Sequence, residues 1–231
     1  MVSGFFGWEN SLCWKSFYLN GSGGSMRPDL EALARKARGF MPHDEGMGLY
    51  QTALQLASPD TIVEIGSYCG KSTIYLGAAA LENGSVVFTI DHHRGSEEMQ
   101  QGWEHHDAEL VDPSTGKIDS LPELRRNIEV AGLENVVVPI IGESQTVAKR
   151  WAGPVSMLFI DGGHGSEPAH TDYEEWTPKV IAGGFLAIHD VFSDPADGGR
   201  PPYEIYSRAL EDGGFEIFAN YGSLQILRRS F

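Results

Sequence analysis

The run Val63-Glu64-Ile65-Gly66-Ser67-Tyr68-Cys69-Gly70-Lys71-Ser72-Thr73 constrains this chain more than any other segment. An apolar, β-branched stretch, Thr61–Ile65, stops at a turn of small residues. Residues 71–80 follow and read as a helix opening on Ser72 and Thr73. A buried strand feeding a tight turn and a helix N-terminus is a nucleotide-binding corner, because free backbone N–H groups and the helix dipole meet there. Glu64 at the strand end can accept hydrogen bonds from a bound amine or hydroxyl, and Gly66 lets a ligand lie close against the backbone. The turn lacks the full G-x-G-x-x-G of a dinucleotide fold. Nor is it a P-loop, since Ile65 stands where that motif needs its first glycine.

A second acidic strand end follows. Val86–Asp91 is an apolar run closing on a carboxylate 27 residues after Glu64, near the roughly 20-residue offset at which a ribose-binding acid follows the glycine turn. Two such strand ends suit one cosubstrate lying across both. The bland alternative is an α/β domain whose strands happen to end in acids.

Further short apolar runs at 136–141, 156–160 and 185–188 are preceded by helix-compatible segments at 121–131, 144–151 and 170–180. That alternation predicts a mostly parallel sheet with helices on both faces. Residues 205–211 read as another helix. Residues 215–218 and 224–227 read as a closing pair around Asn220-Tyr221-Gly222, forming an antiparallel C-terminal edge, and residues 29–38 and 45–57 as two leading helices. One domain over residues 26–231 accounts for this pattern.

Ligands in open parallel sheets bind beyond the carboxyl ends of the strands. Asp161 ends one strand and His189-Asp190 the next, so three oxygen and nitrogen donors converge on one edge as a candidate divalent metal site. Imidazole suits zinc, iron and other transition ions better than magnesium. The alternative for His189 is a partly buried ring bonded to backbone. His164, three residues past Asp161, is the first candidate for a general base, and His170 is the reserve.

Together, Glu-Ile-Gly-x-x-x-Gly-x-Ser-Thr from Glu64, the later Ile90-Asp91, and Phe159-Ile160-Asp161-Gly162-Gly163-His164 resemble the class I S-adenosylmethionine methyltransferases. More narrowly they resemble the metal-dependent sugar and macrolide O-methyltransferases and their cephalosporin-hydroxylase-like relatives, over roughly residues 46–227. The resemblance implies a Rossmann-like sheet, S-adenosylmethionine as methyl donor, and a magnesium ion at the acceptor site, held where this chain has Asp161, His189 and Asp190. His189 departs from the carboxylate that the family often carries. By the same resemblance Glu64, Gly66 and Ser67 line the methionine end, Ser72 the amino-acid portion and Asp91 the ribose. Gly142-Glu143-Ser144 then meets adenine, with Ser144 alternatively only a helix cap. The implied activity is O-methylation of a sugar or oligosaccharide. The Asp91-His92-His93-Arg94-Gly95-Ser96-Glu97-Glu98 run is similar to that of actinobacterial enzymes acting on mannose-based polysaccharides. A transition-metal hydroxylase and a non-catalytic S-adenosylmethionine-binding protein are the alternatives. Many such enzymes pair through N-terminal helices, which makes a homodimer the implied assembly.

Residues 94–120 form a long insertion in which His105, His106, Trp103 and several acids gather beside His92 and His93. It reads as a lid over a polyhydroxyl acceptor, as a solvated loop, or as a second metal site. A net charge of −15 argues against a nucleic-acid partner. Cys13 and Cys69 are the only cysteines, which leaves no disulfide framework. No apolar run approaches the roughly 20 residues of a membrane span, and a soluble, cytoplasmic protein is the expectation. Residues 1–25, aromatic-rich and ending in Gly21-Ser22-Gly23-Gly24-Ser25 before Met26, read as a flexible or non-native extension, with a native aromatic arm as the alternative.

Overall fold

Along each central strand, successive residues enter opposite cores, and this alternation sets the architecture. Ile62 and its in-register neighbour Met157 face one side, while Val63 and Leu158 face the other. A sheet apolar on both faces must be covered on both. The computed structural model describes residues 25–231 other than Ser58, Glu104, His164, Pro195 and Ala196. In chain order these form α1 (Pro28–Lys36), α2 (His43–Ala53), β1 (Thr61–Ile65), α3 (Lys71–Asn83), β2 (Val86–Asp91), β3 (Val111–Asp112) and β4 (Lys117–Ile118). There follow α4 (Leu121–Val130), β5 (Val137–Ile141), α5 (Ser144–Ala148), β6 (Val155–Ile160), α6 (Ser166–Trp176), β7 (Val180–Ile188), α7 (Arg200–Glu211), β8 (Phe215–Tyr221) and β9 (Leu224–Arg229).

Seven strands form one sheet in the order β5-β2-β1-β6-β7-β9-β8. The first five are parallel, and β9 runs antiparallel to both neighbours. This is the mostly parallel α/β sheet with an antiparallel C-terminal edge expected from the sequence. One core gathers Leu30, Leu49, Ile74 and Leu124 from α1, α2, α3 and α4. The other takes Ala148, Trp176 and Ile205 from α5, α6 and α7. Each fully buried large aliphatic or aromatic side chain contributes about 1.5–3 kcal/mol. Strand β6, buried along its whole length, is the spine of the sheet.

Several boundaries differ from the sequence reading for local reasons. Helix α7 begins five residues earlier than expected because Pro201 and Pro202 occupy its first turn, where a missing N–H costs nothing. Strand β7 begins at Val180 rather than Phe185, and the Gly183-Gly184 pair that masks it in the sequence sits beside a register shift against β6. Helix α5 is shorter than expected, ending at Ala148. Helix α3 starts at Lys71 as expected but runs on to Asn83, where the left-handed Gly84 ends it. The insertion contains the small β3–β4 hairpin, and its Leu110 and Ile118 are buried against Cys69. Residues 1–24, with the proposed extension and Cys13, lie outside the described residues. No helix among the described residues is long and apolar enough to cross a membrane.

Candidate functional site

Four isoleucines lie in register across adjacent strands: Ile90, Ile65, Ile160 and Ile188 of β2, β1, β6 and β7. All four are buried, so each pins its strand end at the same height. The next residue on each strand is therefore Asp91, Gly66, Asp161 and His189, one row along the carboxyl edge. With neighbouring strands about 4.8 Å apart, the row spans about 14 Å. Backbone bonds carry the ladder one step past the isoleucines: Gly66 N–H donates to the Ile90 carbonyl (3.0 Å), Asp161 N–H to Ile65 (2.9 Å) and His189 N–H to Ile160 (3.1 Å). Connections run outward from β1 to β2 and β5 on one side and from β6 to β7 on the other. The switch point, where open α/β sheets bind ligands, thus falls between Gly66 and Asp161.

Gly66 has a structural task at that junction. It has φ +91°, and a Cβ there would lie 2.1 Å from the Asp161 carbonyl oxygen. The glycine is required by the approach of one strand end to another, whatever ligand lies above. Glu64 also has a structural task. Its side chain is fully buried, and its two oxygens accept from Ser72 Oγ and Thr73 Oγ1, both at 2.5 Å. Burial pushes its carboxyl up to about 7, offset in part by these hydroxyls. The carboxylate thereby braces the turn from beneath, tying β1 to the first turn of α3. Ser67 is likewise buried, its hydroxyl bonded to Thr89 Oγ1.

Asp91 stands at the surface of the corner. Its Oδ2 accepts from Tyr68 N–H (2.8 Å) and its Oδ1 from His93 N–H (2.7 Å). Both donors belong to non-glycine residues with positive φ, +47° and +59°, a strain that clusters at functional sites. A carboxylate accepts at about four positions, so Asp91 keeps capacity for ligand hydroxyls. Gly142 N–H bonds the Asp91 carbonyl (3.0 Å), which places the 142–144 turn beside it. Glu143 is exposed there. Ser144 is the first residue of α5 rather than its cap, and its hydroxyl donates to the buried Asp172. Burial raises the Asp172 carboxyl to about 6.

At the other end of the row, Asp161, His189 and Asp190 bring one donor atom each within 4.8 Å of one another. His189 Nδ1 lies 3.0 Å from Asp161 Oδ1 and 3.4 Å from Asp190 Oδ2. Adjacent ligands of an octahedral ion with bonds of about 2.1 Å sit about 3 Å apart, so these residues fit a small divalent cation. Asp190 has φ +56°, which turns its carboxylate back toward this cluster. Sequence reasoning missed a fourth member. Glu45, in the first turn of α2, is 3% exposed and accepts from His189 Nε2 at 2.6 Å. Burial opposes a charge on His189, but Asp161, Asp190 and Glu45 outweigh it and push the imidazole up to about 12 without an ion.

His164 lies outside the described residues. His170, the reserve base, bonds Glu204 at 3.0 Å between α6 and α7. The insertion histidines do not gather: His93 is buried with Nδ1 on Ser120 Oγ (2.9 Å), and His106 Nδ1 meets the Met99 carbonyl. Among the described residues, the group able to hold an ion is Asp161, His189 and Asp190. Arg38 clasps the insertion through Asp107 and Glu109, and Phe40 stacks on Tyr68 (5.8 Å) and against His105 (5.0 Å). A Cβ on Gly163 would meet Ser96 at 3.1 Å. The insertion therefore borders both the Asp91 corner and the loop after Asp161.

Comparison with known proteins agrees with this layout. A family described as a methyltransferase domain matches residues 63–191, more than half the chain and the span from the glycine corner to the cation edge. The catechol O-methyltransferase of Niastella koreensis is 26% identical over 144 residues, 61% of this chain. The match spans about half (52%) of that protein's own length. Among solved structures, the O-methyltransferase NovP is 18% identical with a TM-score of 0.66, covering 89% of both chains. Cofactor-bound Rv0187 from MTB gives 19% and 0.61, over 87% of this chain and 85% of that one. TomG of Streptomyces achromogenes, an O-methyltransferase solved with SAM, gives 16% and 0.59, over 90% and 92%. The strand-end row, the sheet order and the family match coincide on the same residues, and the chain belongs to the methyltransferase domain family.

Proposed function

We propose that this protein transfers a methyl group from S-adenosylmethionine to a hydroxyl of a sugar or oligosaccharide, with a divalent cation held by Asp161, His189 and Asp190. The observation that carries this reading is the row Asp91, Gly66, Asp161 and His189, which sets a cosubstrate corner and a cation edge on adjacent strand ends. In it, Asp91 receives the ribose hydroxyls. Gly66 and Ser67 offer backbone to the methionine end, since the Ser67 hydroxyl is taken by Thr89. Glu64 and Ser72 hold the turn from beneath, and Gly142, Glu143 and the backbone of Ser144 border the adenine.

Asp161, His189 and Asp190 would hold a divalent ion that would supply a lowered proton affinity and a fixed oxygen to an acceptor hydroxyl. Asp161 and Asp190 contribute oxygen donors suited to magnesium or manganese, and His189 shifts the preference toward manganese and the later ions. Positioning two reactants in attack geometry supplies on the order of 7–11 kcal/mol of barrier reduction. His164, three residues past Asp161 in the sequence, takes the hydroxyl proton in this reading. Phe40 and Trp103 expose aromatic surface, 59% and 54%, on the segments that border the site, which suits stacking on a sugar face. A catechol is the second acceptor class, favoured by the Niastella koreensis relative.

Titration calorimetry of S-adenosylhomocysteine with magnesium, manganese or a chelator tests the cosubstrate. Methyl incorporation from labelled S-adenosylmethionine into oligosaccharides and catechols then tests the acceptor. Micromolar product binding and a one-methyl mass gain on a sugar, lost in Asp161→Asn, are expected. Absence of S-adenosylhomocysteine binding under every metal condition refutes the reading, and methylation of catechols alone replaces the sugar assignment.

A further inference from the structure

We infer that Glu45 is the positioning residue of the cation edge: it fixes His189 with Nδ1 turned toward Asp161 and Asp190. The inference rests on the metal-assisted reading above and adds to it a residue 144 positions away in the sequence. Glu45 and His189 are 3% and 4% exposed, so neither exchanges its partner for water. The carboxylate is held at both oxygens. Oε2 accepts from His189 Nε2 (2.6 Å), while Oε1 accepts from Ser223 N–H (2.6 Å) and Ser223 Oγ (3.1 Å) in the β8–β9 turn. A Cβ on Gly222 would come within 2.3 Å of Oε1, so that turn closes tightly over the carboxylate. Three separate elements, α2, the β8–β9 turn and the end of β7, thereby fix one imidazole plane.

The consequence is a choice of tautomer. Without an ion both ring nitrogens carry protons, and once a cation displaces the proton on Nδ1, a ring whose Nε2–H stays bonded to Glu45 presents its lone pair there, at the atom 3.0 and 3.4 Å from the two aspartates. Carboxylate partners on the far nitrogen of a metal-bound histidine orient the ring and increase its basicity, and losing one costs about 10–100-fold in metal affinity. Glutamine at position 45 cannot replace both contacts. Its single carbonyl must face the Ser223 N–H, which leaves its NH₂ toward His189 Nε2. That nitrogen must then accept, and the proton moves to Nδ1, blocking it as a ligand.

The test measures Mn²⁺ affinity by electron paramagnetic resonance of the free ion in wild type, Glu45→Gln, Glu45→Asp, Asp161→Asn, His189→Asn and the double variant Glu45→Gln/His189→Asn. Thermal unfolding and S-adenosylhomocysteine affinity serve as folding controls. Ring ¹⁵N spectra of the Zn²⁺-loaded proteins report which nitrogen carries the proton. Glu45→Gln is expected to weaken Mn²⁺ binding about 10–100-fold and to move the His189 proton from Nε2 to Nδ1. Glu45→Asp, one methylene short but still charged, is expected to lose affinity too, and Glu45→Gln is expected to add nothing once His189 is gone. Unchanged affinity and tautomer in Glu45→Gln, with binding still lost in Asp161→Asn, overturn this inference alone. An equal loss from Glu45→Gln in the His189→Asn background also overturns it, because Glu45 would then act by charge and not through the ring. A wild type that binds no ion overturns the metal reading itself.

Discussion

Replacing Gly66 by alanine tests whether the cosubstrate corner and the cation edge are one mechanical unit. Two costs add at this position. The backbone has φ +91°, and a left-handed conformation costs a non-glycine residue about 1–2 kcal/mol. The new Cβ would also lie 2.1 Å from the Asp161 carbonyl oxygen. An ordinary carbon–oxygen contact is about 3.3 Å, so the ends of β1 and β6 must part by more than about 1 Å. Overpacking of that kind costs about 1–3 kcal/mol. Gly132 separates the two terms: it has φ +64° with nothing within 4 Å of its Cβ position. Gly132→Ala is therefore expected to cost about 1–2 kcal/mol, a fall of about 2–8 °C in Tm at about 2–4 °C per kcal/mol for a chain of this size. Gly66→Ala is expected to cost about 2–5 kcal/mol, about 4–20 °C on the same conversion. Differential scanning calorimetry of both variants measures this, with Mn²⁺ and S-adenosylhomocysteine affinities on the folded proteins. Only Gly66→Ala is expected to weaken both ligands. Equal thermal cost in the two variants would refute the strand-to-strand contact as the reason for glycine, and loss of one ligand without the other would refute the coupling.

Other expectations follow from groups beneath and beside the row. Burial holds the Glu64 carboxyl at about 7 against an ordinary 4.5, so the folded protein keeps this proton to higher pH than the unfolded chain. Its contribution to stability is therefore greatest below pH 4.5 and declines as pH rises to about 7, by about 3 kcal/mol at 1.36 kcal/mol per unit. Glu64→Gln removes the titration, and its stability relative to wild type is expected to rise between pH 5 and 8 in urea titrations; a pH-independent difference contradicts the assignment. Arg38→Ala breaks the clasp on Asp107 and Glu109. Because Arg38 is 31% and Glu109 79% exposed, the global cost is expected to stay within about 1 kcal/mol. Tryptic cleavage at Lys117 in the insertion should nevertheless accelerate, and an unchanged cleavage rate would show that Leu110 and Ile118 anchor the segment without the clasp.

The sheet and the row of strand ends were legible because buried parallel strands are written as continuous apolar runs, and each of these runs stops at a chemically conspicuous residue. The positions of Asp91, Asp161 and His189 at the strand ends were read in that way. Glu45 was not: it lies 144 residues from His189, and a glutamate in the first turn of a helix is ordinary in any sequence. The structural tasks of Glu64 and Gly66 were hidden for a related reason. A strand-end acid looks the same in sequence whether it faces a ligand or braces Ser72 and Thr73. A glycine in a binding turn looks the same whether it makes room for a ligand or for the backbone of another strand. The anchoring of residues 94–120 was hidden because Leu110 and Ile118 are isolated apolar residues in a polar stretch, and they find Cys69 only through the fold.

Crystals grown with Mn²⁺ and S-adenosylhomocysteine, with data collected at the manganese absorption edge, test the central claim most directly. The expected result is one anomalous peak about 2.0–2.3 Å from Asp161, Asp190 and His189 Nδ1, with Glu45 still on Nε2 and S-adenosylhomocysteine between Gly66 and Asp91. A peak elsewhere, a cluster without manganese, or a product bound away from the Gly66–Asp91 corner would contradict it.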